Sequence, residues 1–118
     1  MTDKLSITLA QVNQSVGDMA GNAAEMLAVR ARAGKVDLVA FPEMQLIGYP
    51  AEDLILKPSL IERAQAELER LAQATNDGGP GMLVGSVFVR DGALHNGVAM
   101  LDGGRITAAR PGRVLRGP

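Results

Sequence analysis

Cysteine is absent from this chain and histidine occurs once. The first absence excludes disulfides, thiolate metal sites and a thiol nucleophile carried by these residues. The second leaves His95 alone, too little for a multi-histidine metal cluster. No apolar run approaches the length needed to span a membrane, and Met1-Thr2-Asp3-Lys4 opens without the long apolar segment of a signal peptide. A cytoplasmic protein with no membrane partner is the resulting expectation. An excess of either charge is missing as well: the formal net charge is -1, which gives no general attraction to nucleic acid or anionic lipid. The one local asymmetry is Arg110, Arg113 and Arg116, which close the chain without an acid among them and read as a solvated tail.

What is present fits one globular domain. The chain has 118 residues, 47% hydrophobic and 21% charged, enough for a single core but small for an α/β enzyme. Leu5 to Val12 alternates Leu5, Ile7 and Leu9 with Ser6, Thr8 and Ala10, a strand whose small-residue face lets another layer approach closely. Asp18 is placed to cap a helix running to about Ala33, with Ala20, Ala23, Ala24, Leu27 and Ala31 as its expected inward face. Val36 to Phe41 is a short apolar run, too brief for a helix, and reads as a buried strand parallel to the first. Pro58 opens a second helix to about Thr75, with Leu60, Ile61, Ala64, Leu68, Leu71 and Ala72 at helical spacing and an Arg63–Glu67 pair on its outer side. From Met82 the period changes to two. Met82–Arg90, Ala93–Leu101 and Arg105–Arg110 read as strands joined at Asp91-Gly92 and Asp102-Gly103-Gly104. The order is β-α-β-α and then a β meander over residues 1–110, and the glycines and prolines of 111–118 argue for a loose end.

Glu43 is the first functional candidate. A strand that stops at Phe41-Pro42 and is followed at once by a carboxylate puts that acid at the sheet edge where ligands of open α/β sheets collect. The residues alone leave it open whether Glu43 does chemistry, caps the following segment or pairs with an arginine. The 44–57 connection, with Gly48-Tyr49-Pro50 and the acids Glu52 and Asp53, is long enough to be either functional or a packing wrap. Gly17 to Gly21 fits neither glycine fingerprint for nucleotide phosphates. His95, beside Asn96 within the middle strand, reads as a histidine satisfied by a neighbour, since no serine and acid partner stands near it in the pattern.

Taken in order, several segments resemble the start of a nitrilase-superfamily carbon-nitrogen hydrolase. They are Ala10-Gln11, then Val16-Gly17-Asp18 with Gly21-Asn22, and Asp37-Leu38-Val39-Ala40-Phe41-Pro42-Glu43 with Gly48-Tyr49-Pro50. Within that superfamily the variant with Glu52-Asp53-Leu54 and Leu56-Lys57-Pro58, followed later by Gly103-Gly104-Arg105-Ile106, is similar to the glutaminase domain that opens bacterial glutamine-dependent NAD synthetases. The likeness covers residues 4 to about 110. It implies a four-layer α-β-β-α sandwich and a Glu, Lys, Cys triad. In that triad Glu43 is the general base, a lysine supports the charged intermediate, and a cysteine attacks the glutamine amide and releases ammonia. Tyr49 would line the pocket mouth or pack its ring.

The chain departs from the family after the third meander strand. The lysine is expected soon after Arg110, where this sequence has Pro111 to Pro118, and the cysteine is missing altogether. Arg113 is the nearest cation, but a guanidinium does not replace an ammonium in shape or proton chemistry. The resemblance therefore implies glutamine as family substrate, with ATP, deamido-NAD and magnesium on a synthetase domain outside these residues and no cofactor within them. The expectation is a front portion that is inactive by itself and self-associates through an uncovered apolar face or strand edge. The alternatives are a non-catalytic α/β interaction module and a piece of another nitrilase-type amidase, against which the 48–58 segment speaks.

Overall fold

The computed structural model describes residues 4–12, 15, 18–42, 45–47 and 58–116, with backbone alone at 111 and 113–116. Its elements are β1 (Ile7–Leu9), α1 (Met19–Ala33), β2 (Leu38–Ala40), α2 (Pro58–Ala74), β3 (Gly81–Arg90), β4 (Ala93–Asp102) and β5 (Arg105–Arg116). The five strands form one sheet in sequence order. β1, β2 and β3 run parallel, and β3, β4 and β5 form an antiparallel meander. The expected mixed α/β order holds, and the described residues supply a sheet layer and a helix layer.

Both helices lie on one sheet face, so cross-strand rows alternate between two environments. Val39, Met82 and Leu101 stand in register and are fully buried, as are Val84 and Ala99. The neighbouring row, Leu9, Ala40, Leu83 and Met100, faces away from the helices, and Leu9 is 79% exposed. This agrees with the close approach expected at the small-residue face of β1. Its small-residue face, with Ala10 buried just beyond the strand, turns inward, while Leu5, Ile7 and Leu9 point outward.

Helix α2 buries Leu60, Ala64, Leu68, Leu71 and Ala72, the stripe its spacing dictates, with Ile61 half-buried beside it. On its outer side Glu67 pairs with Arg70 at 2.7 Å rather than with Arg63. Helix α1 starts at Asp18, whose carboxylate accepts from the Gly21 N–H at 3.1 Å, a cap worth about 1 kcal/mol. Its buried face differs from the expected alanine stripe: Met19, Asn22, Ala23, Met26 and Arg30 face inward, while Ala20, Ala24 and Ala31 are exposed. Two long methionines bury more apolar surface than alanines do, and the two polar residues among them find buried partners.

Both hairpin turns follow from their residues. Asp91 and Gly92 have φ of 53° and 76°, and Gly103 and Gly104 have 59° and 85°, the positive pair that a two-residue turn matched to strand twist requires. The third meander strand does not end at Arg110: β5 continues to Arg116, pairing Pro111 with Gly97 and Val114 with His95 across register shifts. The expected loose end is therefore strand through 116. Proline has no ladder donor, but it is tolerated on an edge strand next to a bulge. Gly97 is fixed by close approach: a Cβ there would stand 2.6 Å from the Arg110 carbonyl oxygen and 2.8 Å from the Phe88 ring. Because a backbone oxygen cannot step aside without moving β5, Gly97→Ala is expected to cost about 2 kcal/mol in urea unfolding. Wild-type stability in that variant would show that the two strands separate freely here. Among the described residues no helix is long and apolar enough to cross a membrane.

Candidate functional site

Glu43 and Tyr49, the two candidates from the sequence, lie outside the described residues, as do the side chains of Arg113 and Arg116. The described residues do fix the frame around position 43. β2 is held between two parallel neighbours, and the pairing runs past its end: the Ala10 N–H donates to the Ala40 carbonyl at 2.9 Å and the Phe41 N–H to the Leu83 carbonyl at 3.0 Å. Phe41 is buried, and Pro42, exposed, comes next in the chain. On the far side of position 43 the Gln45 N–H donates back to the Pro42 carbonyl at 3.3 Å. The Leu46 N–H then donates to the Gly85 carbonyl at 3.5 Å, while the Leu46 and Ile47 side chains are fully buried. The described residues on either side of positions 43 and 44 are thus bonded at the carboxyl end of a central parallel strand, where such sheets place ligand-binding groups.

Asn22, which sequence reasoning did not single out by itself, joins this end of the sheet to the helix layer. Its Oδ1 accepts from the Ser15 N–H at 2.8 Å, and its Nδ2 donates to the Ser15 carbonyl at 2.8 Å and to the Leu46 carbonyl at 3.0 Å. The available signal was an asparagine three residues after Met19, on the buried register of a helix. Gln45 and Ser86 were missed as well. Both are fully buried, and neither the Gln45 amide nor the Ser86 hydroxyl has a hydrogen-bond partner among the described residues, a costly state for a buried polar group. An open groove of about 530 Å³ begins beyond β1, lined by Gln11, Ser15, Asp18, Asn22 and Glu25. Its two carboxylates unsuit it to an anionic phosphate, in line with the missing glycine fingerprint.

His95 stands apart from this end. Its Nδ1 lies 3.1 Å from the Gly112 carbonyl oxygen, the neighbour-satisfied arrangement expected for it. The strongest charge pairing is also remote. Arg30, near the carboxyl end of α1, forks onto Asp77 at 2.9 and 2.6 Å and donates through Nε to the Pro80 carbonyl at 2.9 Å. The Arg30 guanidinium and then the Gly79 N–H hold the Asp77 carboxyl well below the usual carboxylate range. Among the described residues no group of three or more histidine, aspartate and glutamate side chains is arranged to hold a metal ion.

A β-α-β unit whose second strand leads to Phe41-Pro42, continued by an α helix and a meander, is matched by the carbon-nitrogen hydrolase family model over residues 6–113. The chain belongs to the carbon-nitrogen hydrolase family. Its similar relatives include the glutamine-dependent NAD(+) synthetases of Rhodobacter capsulatus and Thermotoga maritima. The first is 42% identical over 110 residues, 92% of this chain and 20% of the relative. The second is 39% identical over 103 residues, 85% of this chain and 18% of the relative. Among solved structures, the glutamine-dependent NAD+ synthetase of Acinetobacter baumannii superposes with a TM-score of 0.79 at 32% identity, over 91% of this chain and 20% of that one. An amidase from Nesterenkonia shares the fold at a TM-score of 0.76 and 20% identity, over 98% of this chain and 46% of the amidase. This carbon-nitrogen hydrolase chain therefore spans about a fifth of the length of the synthetases it matches.

Proposed function

We propose that this chain supplies the base-bearing part of a glutaminase, one that releases ammonia from the glutamine side chain for ATP-dependent NAD synthesis. The observation that carries the reading is the family match across a β2 strand that is followed in sequence by Pro42-Glu43. The 42% identity to a glutamine-dependent NAD synthetase supports the substrate class. In this reading the Glu43 carboxylate takes the proton of a cysteine thiol, and the thiolate forms a bond to the amide carbon. A lysine ammonium supports the oxyanion, and the carbon-nitrogen bond breaks as Glu43 returns the proton to the leaving nitrogen so that ammonia departs. Water then hydrolyses the thioester to glutamate and regenerates the thiol. Cysteine is absent from the 118 residues, so the nucleophile comes from outside them. ATP and magnesium belong in this scheme to a synthetase domain, and Tyr49 lines the mouth of the glutamine pocket.

The test is reconstitution. The isolated chain is expected to release no ammonia from glutamine. A chimera in which residues 1–110 replace the matching segment of the Rhodobacter capsulatus synthetase, 42% identical over 110 residues, is expected to make NAD with glutamine as sole nitrogen donor. A folded chimera that uses added ammonia but not glutamine would overturn the reading.

Self-association of the isolated chain belongs to the same proposal. The outward row Leu9, Ala40, Leu83 and Met100, flanked by Ile7 and by Val98 at 40% exposure, is an apolar sheet face with no element over it among the described residues. Such a face is covered by association in water, here by a second copy. Light scattering at high protein concentration is expected to report a dimer or a larger species, and a sharp monomer contradicts this.

A further inference from the structure

We infer that Asp91-Gly92, at the tip of the β3–β4 hairpin, is a covalent modification site. In the folded chain its peptide bond rearranges to a β-linked isoaspartyl bond, the substrate class of isoaspartyl methyltransferases. The chemistry is intramolecular. The main-chain nitrogen of the residue after an aspartate bonds to the side-chain carboxyl carbon. That nitrogen loses its proton and the carboxyl its hydroxyl, which depart together as water, and a five-membered succinimide is left. Water then opens the ring at either carbonyl, restoring aspartate or leaving the chain joined through the side chain. No oxidant, reductant or co-reactant other than water is consumed. Glycine in the second place favours closure because no Cβ obstructs the attacking nitrogen. Asparagine follows the same course with ammonia as the leaving group, which departs more readily.

Four such pairs occur in the sequence, Asp77-Gly78, Asp91-Gly92, Asn96-Gly97 and Asp102-Gly103. The fold shields three of them. Both Asp77 carboxylate oxygens are engaged, by the Arg30 fork at 2.9 and 2.6 Å and by the Gly79 N–H at 2.8 Å, and a clamped, ionised carboxylate does not give up an oxygen as water. Asn96 lies within β4, and its glycine is enclosed. Gly97 pairs with Ser86 on one side and Pro111 on the other, and a Cβ on it would stand 2.6 Å from the Arg110 carbonyl oxygen. Asp102 closes the β4 ladder opposite Arg105, and the turn after it is anchored to the end of α2, where the Gly104 N–H donates to the buried Thr75 Oγ1 at 3.1 Å. Ring closure at Asn96 or Asp102 would first have to break paired backbone. Asp91 carries none of these restraints. β3 ends at Arg90 and β4 begins at Ala93, so Asp91 and Gly92 stand outside the ladder. Arg90, Asp91 and Gly92 are exposed, beside Val89 at 57%. Among the described residues no hydrogen bond reaches the Asp91 carboxylate or the Gly92 N–H. Asp91 is also the one non-glycine residue among them with a positive φ, 53°, a region unfavourable to a residue with a Cβ, so the native backbone opposes rearrangement least there.

The experiment ages the full 118-residue chain at neutral pH and body temperature for several weeks. An isoaspartyl methyltransferase with radiolabelled S-adenosylmethionine then marks the β-linked sites, and peptide mapping with electron-transfer fragmentation locates them. Most of the label in the folded chain is expected at Asp91-Gly92. Asp91→Gly and Asp91→Asn both keep residues that suit a two-residue turn with positive φ at both positions. Asp91→Gly removes the electrophilic carboxyl and is expected to lose most of the label. Asp91→Asn exchanges water for ammonia as leaving group and is expected to accumulate label several-fold faster. In wild type held unfolded in urea, the label is expected to move chiefly to Asn96-Gly97, because the shielding is gone. A folded chain that gains no label, label centred on another pair, or the same distribution folded and unfolded would each overturn the proposal. If circular dichroism shows that a variant does not fold, the wild-type maps in the two states decide by themselves.

Discussion

Glu43→Gln in the synthetase chimera is expected to lower glutamine-dependent NAD formation by about 10²- to 10⁴-fold, the range for loss of a positioned general base. The substitution keeps the shape of the side chain and removes its ability to take a proton. A thiol at neutral pH is a few per cent thiolate, so a residual rate survives. NAD formation from added ammonia is expected to be unchanged, because it bypasses amide hydrolysis. This contrast separates loss of the base from loss of fold. An equal fall with both nitrogen donors would assign Glu43 to structure, and no fall with glutamine would remove it from the chemistry.

The next largest effect is expected at the other end of the sheet. Arg30→Ala removes a fork onto Asp77 and the Nε bond to the Pro80 carbonyl, at a side chain only 8% exposed. Asp77 is half in solvent and recovers hydration, so most of the cost lies in the orphaned carbonyl and the lost packing of the side-chain stem, with a smaller share in the lost ion pair. That amounts to about 3 kcal/mol in urea unfolding at neutral pH. The pH dependence follows from the depressed carboxyl. A group whose folded pKa lies below its unfolded one contributes stability above the unfolded value and loses it as pH falls through the folded one. The Asp77 contribution is thus complete at neutral pH and declines from about pH 4 downward. The Arg30 guanidinium is shifted the opposite way, upward by its bond to Asp77, and its contribution is lost only in strong alkali. The gap between wild type and Arg30→Ala is therefore expected to narrow, without closing, between pH 7 and the acid range. A constant gap would assign the effect to the Pro80 carbonyl and packing alone.

Element type was legible wherever one physical signal dominated. The Leu60 to Ala72 stripe is apolar at helical spacing, and the buried face of α2 follows it. Asp91-Gly92 and Gly103-Gly104 dictate their turns because the backbone there needs positive φ. The face of α1 was misread because hydrophobicity counts against Asn22 and Arg30, whose burial depends on partners 24 and 47 positions away that no local pattern reveals. Which face of β1 meets the helices was not legible for a related reason. Alternation gives two faces but not which of them meets the helices, and the larger side chains turned out to be on the open one. Past Arg110, Pro111 and Gly112 carry the signal of a chain end, while the pairing that continues β5 depends on the register of β4. At the candidate site, Phe41-Pro42 marked the end of β2, and the bonds on either side of position 43 were out of reach of the sequence because most of them join different elements.

The two buried polar side chains of α1 also differ in how much chain must exist before each can be satisfied. Asn22 reaches Ser15 and Leu46, 7 and 24 positions off, while Arg30 reaches Asp77 and Pro80, 47 and 50 positions off. In loop-closure entropy the step from 24 to 50 positions is worth only about 0.6 kcal/mol. The order of events is affected more than the balance. Domains are made from the amino terminus at about 5 to 20 residues per second, so the Asn22 tie is available to a growing chain while the partners of Arg30 are still unmade. The tie between the exits of β1 and β2 can thus form first, whereas the clamp at the opposite end and the β3 bonds that flank position 43 become available together, later in synthesis.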